Sequence, residues 1–500
     1  MSGTLESYDA LPYEAVPIPE THPDHLAALA GLAGHAAPDP AAARILELGC
    51  AEGGNLIPIA FYWPGTRCTG LELSRSQAAA GQELAQAAGL DNCRILHADL
   101  AAPPEGFGEF DYIVAHGVYS WVPEAVRESL IALCARHLAP QGIAYVSFNV
   151  MPGWSSRLAL RESLLRATAG AAGPRARAAA ARQALADLAR RFGETPLAAH
   201  PDLEAEIGFL LRASPSYLFH EYLDETNEPE TFAAFRERAG RHGLRCLCDA
   251  GPGTCARAWG RDHDDGMDED GFDARTGNRF RRALLVRASA PPTGPVEPAC
   301  CADVRSDEEL DLAAIAPQEF VNHRGARATV SLPRTKAALM ALAMVYPDSL
   351  SRPELDQAAD QILGHFGVEP TPADDAFERE WRRMLACQFA WPVATARHFD
   401  RTETATPRLH RLARLQAARG LPLAGVRHLA LDPDPEALAL ARLLDGSRDA
   451  TALAAAMGEL PALGATAEDA AAVRAALIDM LALFDRHGLT ESRAMQGTAD

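Results

Sequence analysis

Short apolar runs alternate with helical segments between Arg44 and Asn149, and this alternation restricts the fold more than any other feature of the chain. The runs RILELG, RCTGLELS, CRILHADL, FDYIVAHGVYSW and GIAYVSFN read as strands. Between them a helix is expected from Asn55, with Pro58 harmless in its first turn. A second runs through SQAAAGQELAQAAG to a stop at Gly89, and a third covers PEAVRESLIALCARHL. Strands and helices in this order form right-handed βαβ units, so a doubly wound α/β domain with a parallel sheet follows. Two later runs, GLRCLCDA from Gly243 and RFRRALLV from Arg279, would close the sheet as an edge pair.

Residues 1–150 hold the five main strands, and a helical insertion occupies 151–242. From Arg157 to Arg191 the insertion carries eight arginines against Glu162 and Asp187, which reads as a solvated face, or else as a surface for a protein partner or a homodimer. Residues 243–290 return to the sheet, the Pro-rich 291–306 read as a linker, and 307–500 form a C-terminal domain. That domain begins with the strand-like EFVNHRG and ATVSLPR and continues into the helices TKAALMALAMVY and SLSRPELDQAADQIL. Hairpin plus helices resembles a winged helix in a mainly α domain. Its last part, ALALARLLDGSRDATALAAAM, reads as helix, turn and helix.

A chain of 500 residues with 48% hydrophobic content exceeds one core, so roughly two to three domains are expected. The formal charge of −20 argues against nonspecific binding to a phosphate backbone, and nucleic acid is not an expected partner. No apolar run approaches the roughly 20 residues of a membrane span, and the first residues lack a signal-peptide pattern, so a cytoplasmic location is expected. Ten cysteines without a C-x-x-C pair point to reduced thiols and no metal. Cys246 and Cys248 stand at strand alternation, which sends both thiols to one face. The acidic run from Asp262 to Asp273 lacks the order of a calcium loop and reads as a solvated loop between the last two strands.

The first strand ends in ELGCAEGGN, residues 47–55, a glycine-rich turn with a carboxylate just before it. Its spacing is wrong for a dinucleotide fingerprint, and an acid there is a poor neighbour for a pyrophosphate. It suits an ammonium. S-adenosylmethionine (SAM) offers one, and Glu72 and Asp99 at the next two strand ends would accept its ribose hydroxyls and adenine amino group.

In order, ELGCAEGGN, GLELS, HADL and FDYIVAHGVYSWV resemble the motifs of class I SAM-dependent methyltransferases. The segments AHGVYSWVP, AYVSFNVMPGW, FHEYLDETNEPETFAAFRERAGRHGL and NRFRRALL extend the resemblance to bacterial methyltransferases that carry a methyltransferase regulatory domain. The protein-lysine methyltransferases of rickettsiae, which modify outer-membrane protein, are in that group. The resemblance implies a Rossmann-like class I sheet, SAM as cofactor, and a lysine side chain of a protein or peptide as acceptor.

The residues expected to hold the cofactor are Glu47, Gly49, Cys50, Gly53, Asn55, Glu72, Leu73, Asp99, Leu100, His116 and Gly117. His116, Tyr119 and Trp121 follow strand four, where an open α/β sheet places its reacting centre, and are the catalytic candidates. Asp99 could instead cap the next turn, His116 could be a partly buried histidine satisfied by a neighbour, and Tyr119 and Trp121 could be packing. Tyr8, Tyr13, Thr21, His22, His25 and Asn149 are candidates for a lid or for substrate contact. No Pro-Pro motif of the exocyclic-amine DNA methyltransferases follows strand four. Three functions remain open: protein-lysine methylation, methylation of a small molecule with the insertion as lid, and a SAM-responsive binding protein.

Overall fold

The computed structural model describes residue 11 and residues 15–104, 106–194, 201–252, 268–370, 373–399, 403–459 and 470–494. The expected strands are present as β1 (Arg44–Leu48), β2 (Arg67–Glu72), β3 (Cys93–His97), β4 (Phe110–Ala115) and β5 (Leu138–Asn149), with β6 (Leu244–Asp249) and β7 (Phe280–Arg287) as the late pair. They form one seven-stranded sheet in the order β3-β2-β1-β4-β5-β7-β6. The first five pair in parallel, and β7 runs antiparallel to both β5 and β6. Chain order reverses between β1 and β4, so the carboxyl ends of these two strands border the crevice where open α/β sheets bind ligands.

Each face of the sheet buries its own core. One packs Leu26, Ile45, Ile57, Cys68 and Tyr145, the other Leu46, Ile113, Leu130, Phe148 and Phe235. The helix Arg75–Ala88 ends at Gly89 in the left-handed conformation, as its sequence indicates. Cys246 and Cys248 depart from the expected alternation. A bulge between them shifts the register against β7, and the two side chains join opposite cores.

Among its described residues the insertion forms five helices, Ser155–Thr168, Pro174–Glu194, Pro201–Arg212, Pro215–Tyr222 and Phe232–Arg241. The first four gather around Leu160, Leu164, Leu185, Ile207, Leu210 and Phe219. Its arginines divide: Arg166, Arg175, Arg190 and Arg191 are exposed as expected, whereas the other four bond within the protein. Arg157 pairs with Glu206 at 2.5 Å, while Arg161, Arg177 and Arg182 donate to the carbonyls of Asp224, Leu223 and Ala213. Those carbonyls lie just past helix ends, where backbone acceptors lack intrahelical partners, so the guanidinium groups supply the missing donors.

The acidic run also differs. Its part within the described residues opens the helix Glu269–Thr276, with Asp268 as N-cap, and Asp273 is buried against Arg281 at 2.8 Å. Residues 291–306 pack rather than dangle: Val296 N–H bonds the carbonyl of Gly31, and Ala299–Cys301 forms β8 against β12 (Trp391–Val393). Next come β9 (Val304–Arg305), β10 (Gln318–Asn322) and β11 (Arg327–Val330), a three-stranded sheet packed with the helices Pro333–Val345, Arg352–His365 and Asp375–Ala386. Arg334 and Lys336 are buried here, bonded to Asp356, Asp360 and the carbonyl of Asp311, so neither presents a basic groove. No helix among the described residues is long and apolar enough to cross a membrane.

Candidate active site

The turn after β1 is built for close approach. Gly49, Ala51 and Gly53 have φ of 69°, 48° and 74°. A Cβ at Gly53 would stand 2.6 Å from Ile95 and 2.9 Å from Ile57, and one at Gly54 only 2.1 Å from the carbonyl oxygen of Ala15. The protein's own atoms therefore already require glycine at both positions. Cys50 turns its thiol into the core, where burial pushes its pKa up, and Gly70 on β2 leaves room for that sulfur. Its side chain is thus withdrawn into the core, and the backbone is what Cys50 contributes to the turn.

Glu47, the fourth residue of β1, is buried. Its Oε1 accepts from Asn55 Nδ2 at 2.9 Å, and Oε2 has no hydrogen-bond partner among the described residues. Burial pushes its carboxyl pKa up to about 8, opposed by the Asn55 bond and reinforced by the nearby Glu72 charge. A buried carboxyl oxygen without a donor is costly unless a ligand supplies one. Glu72, at the end of β2, accepts Ala51 N–H at 2.8 Å on one oxygen and Ser74 N–H at 2.7 Å on the other. It thereby ties the glycine turn to the loop after β2. Burial raises its pKa against the pull of those backbone groups. Leu73 beside it is exposed, and Leu100 is half-buried. Asp99 spends one oxygen on Ala101 N–H at 2.8 Å, the turn-capping bond that its sequence allowed.

Asn55 is the hub of the turn. Its Oδ1 accepts from Ile18 N at 2.8 Å and its Nδ2 reaches Thr21 Oγ1 at 3.0 Å, which pins the segment before the helix Pro23–Leu32 over the turn. His22 caps that helix and packs against Trp63. Of the other lid candidates, Tyr8 and Tyr13 lie outside the described residues. His25 faces away, bonded to the carbonyl of Pro392 and stacked on Trp391 at 4.0 Å.

After β4, His116 Nδ1 lies 2.9 Å from the hydroxyl of Tyr145, and Phe280 meets its ring edge-on. Burial, with Arg282 nearby, lowers its pKa to about 4, so the imidazole is neutral near pH 7. Gly117 N–H bonds Ser147 Oγ at 2.9 Å, and a Cβ there would meet nothing within 4 Å, so the backbone borders open space. Tyr119 points the other way. It is fully buried between Phe148 and Phe235, and its hydroxyl donates to Glu230 Oε1 at 2.6 Å. Its proposed catalytic role gives way to an anchoring one: with Arg127, which also reaches Glu230, and Arg238, which pairs with Glu124 and Glu128, it fastens the insertion to the segment after β4. Trp121 is half-buried, edge-on to Trp154. Asn149 is buried, with its amide on Asn227 at 3.2 Å.

Sequence reasoning missed Glu230 and His428. His428 Nε2 lies 2.6 Å from Asn55 Oδ1 across 373 residues of chain, and no local pattern marks it. Among the described residues no group of three or more His, Cys, Asp or Glu could hold a metal.

Carboxylates at the ends of β1 and β2 around a glycine turn are the arrangement of a class I methyltransferase domain, for which the cofactor is SAM. Residues 45–142 match the model of a methyltransferase domain, and residues 214–287 match a "predicted methyltransferase regulatory domain", which runs from the insertion to the end of β7. The uncharacterized protein RP028 of Rickettsia prowazekii is 30% identical over 241 residues, covering 48% of this chain and 96% of RP028. The chain belongs to that protein's family. A second relative, the uncharacterized protein RP789 of the same organism, is 38% identical over 249 residues, 49% of this chain and 45% of RP789, so the match spans under half of that protein. The fold is that of PKMT2 from Rickettsia typhi, with a TM-score of 0.82 and 22% identity over 96% of this chain and 100% of that one.

Proposed function

We propose that the protein transfers a methyl group from SAM to the side-chain amine of a lysine in a polypeptide. The observation that carries the cofactor half is the unpartnered Oε2 of buried Glu47 beside the glycine turn. It fits the ammonium of SAM, while Glu72 would take the ribose hydroxyls and Asp99 the adenine amino group. The acceptor half is supported by the motif resemblance to rickettsial protein-lysine methyltransferases and by the extent of the PKMT2 likeness, which takes in the insertion and the C-terminal part. That protein has also been solved in complex with AdoHcy.

Bound SAM supplies an electrophilic methyl on a sulfonium. What the chain adds is alignment, exclusion of water and control of the acceptor's proton. A lysine ordinarily titrates near 10.4 and must arrive neutral, and a desolvating wall favours that form. The half-buried Phe280 and Trp121 offer aromatic surface near the end of β4. His116, held neutral, serves to orient the amine rather than to store its proton.

The test is transfer of labelled methyl from SAM into a cell extract separated into macromolecules and metabolites, with Glu72→Ala as control. Glu72-dependent label in protein is expected. Label confined to small molecules would overturn the acceptor assignment in favour of metabolite methylation.

A further inference from the structure

We infer that the C-terminal hairpin Leu423–Leu431 is part of the cofactor site: His428, at its tip, positions Asn55 and through it Glu47. The inference rests on the SAM reading of the turn and extends it to a segment outside the methyltransferase and regulatory matches.

The amide of Asn55 is fully engaged. Ile18 N–H is an obligate donor, which identifies the atom it meets as Oδ1. Nδ2 then donates to Thr21 Oγ1 at 3.0 Å and to Glu47 Oε1 at 2.9 Å, and Thr21 passes its own proton to the carbonyl of Ile18 at 2.8 Å. The second lone pair of Oδ1 falls to His428 Nε2 at 2.6 Å. Burial keeps this imidazole neutral, so its one N–H is the proton that fills the bond. Turned over, the amide would set its oxygen against the Glu47 carboxyl and its N–H groups against two donors. His428 opposes that flip, and so holds Glu47 with Oε2 outward.

Other contacts show that the hairpin is seated rather than merely near. Tyr62, at the end of the helix after the turn, donates its hydroxyl to the carbonyl of Ala424 at 2.9 Å. A Cβ on Gly425 would lie 1.8 Å from the carbonyl oxygen of His487, so the hairpin is clasped from behind. His22 packs on His428 with ring centroids 5.1 Å apart. His428 itself has a φ of 58°, a conformation that costs a residue with a Cβ about 1 kcal/mol or more and is kept where neighbours hold it. Coupling of this kind is reciprocal: docking of the hairpin favours the cofactor, and the cofactor favours docking.

The test is calorimetric titration of the full chain with S-adenosylhomocysteine, which keeps the ammonium. His428→Phe retains a ring against His22 but has no donor, whereas His428→Gln restores an N–H at similar reach. Phe is expected to raise Kd about tenfold, with Gln recovering most of the loss. In the unaltered protein, the ligand should slow hydrogen exchange at the amides of Gly425 and His428, a readout that survives if a variant folds poorly. Equal affinity in all three proteins, equal loss in Phe and Gln, or exchange unchanged by ligand would overturn the inference. Absence of binding to the unaltered protein would overturn the SAM reading beneath it.

Discussion

Replacing Glu47 by Gln tests the buried carboxyl directly. The folded protein holds this group near pKa 8, from an ordinary value of 4.5, because the charged form is desolvated beside Glu72. Between those two values the unfolded chain has released the proton and the folded one has kept it. Stability therefore falls as pH rises through the window, by about 1.4 kcal/mol per unit. Across the whole window the loss is about 5 kcal/mol, present only where Glu47 can ionise. Glu47→Gln keeps the acceptor for Asn55 and removes the titration, at a constant cost for its unpartnered amide. Urea unfolding of both proteins from about pH 5 to about pH 8 should show the variant gaining on the original as pH rises. Saturating S-adenosylhomocysteine should flatten the slope, since an ammonium at Oε2 stabilises the carboxylate. Parallel stability curves would refute the reasoning: Glu47 would then ionise as readily in the folded protein as in the unfolded chain, without the desolvation argued from its burial.

Other substitutions separate roles that sequence position alone confuses. Tyr119→Phe should lower stability by roughly 1–2 kcal/mol through the lost bond to Glu230, with kcat little changed; a large fall in kcat at unchanged Tm would return Tyr119 to catalysis. Asp273→Asn removes one of three carboxylates around buried Arg281, leaving Glu269 at 2.8 Å and Asp249 at 3.7 Å, and should cost roughly 1–3 kcal/mol in thermal or urea unfolding. Gly54→Ala places a Cβ against the Ala15 carbonyl, and S-adenosylhomocysteine titration should show weaker binding as the covering segment shifts.

The sheet was legible because its signals are local. Apolar runs, Gly89 at a helix end and a carboxylate before a glycine turn each carry their meaning within a few residues. Position at a strand end does not fix where a side chain points, however. Tyr119 follows β4 as a catalytic residue might, yet it turns into the aromatic core because Phe235 and Glu230 of the insertion await it. Arg166, Arg175, Arg190 and Arg191 are exposed as read, but Arg161, Arg177 and Arg182 are not, because their acceptors are main-chain carbonyls, which no residue type reveals. One bulged residue sends Cys246 and Cys248 to opposite faces. His428 is the extreme case, since its meaning depends on Asn55, 373 residues away.

The most direct measurement is amino-acid analysis of protein labelled by the enzyme with methyl-labelled SAM. The account predicts label recovered after acid hydrolysis as methyl-lysine, and none with Glu72→Ala. Glu72-dependent label on another residue, or only on metabolites, would contradict it.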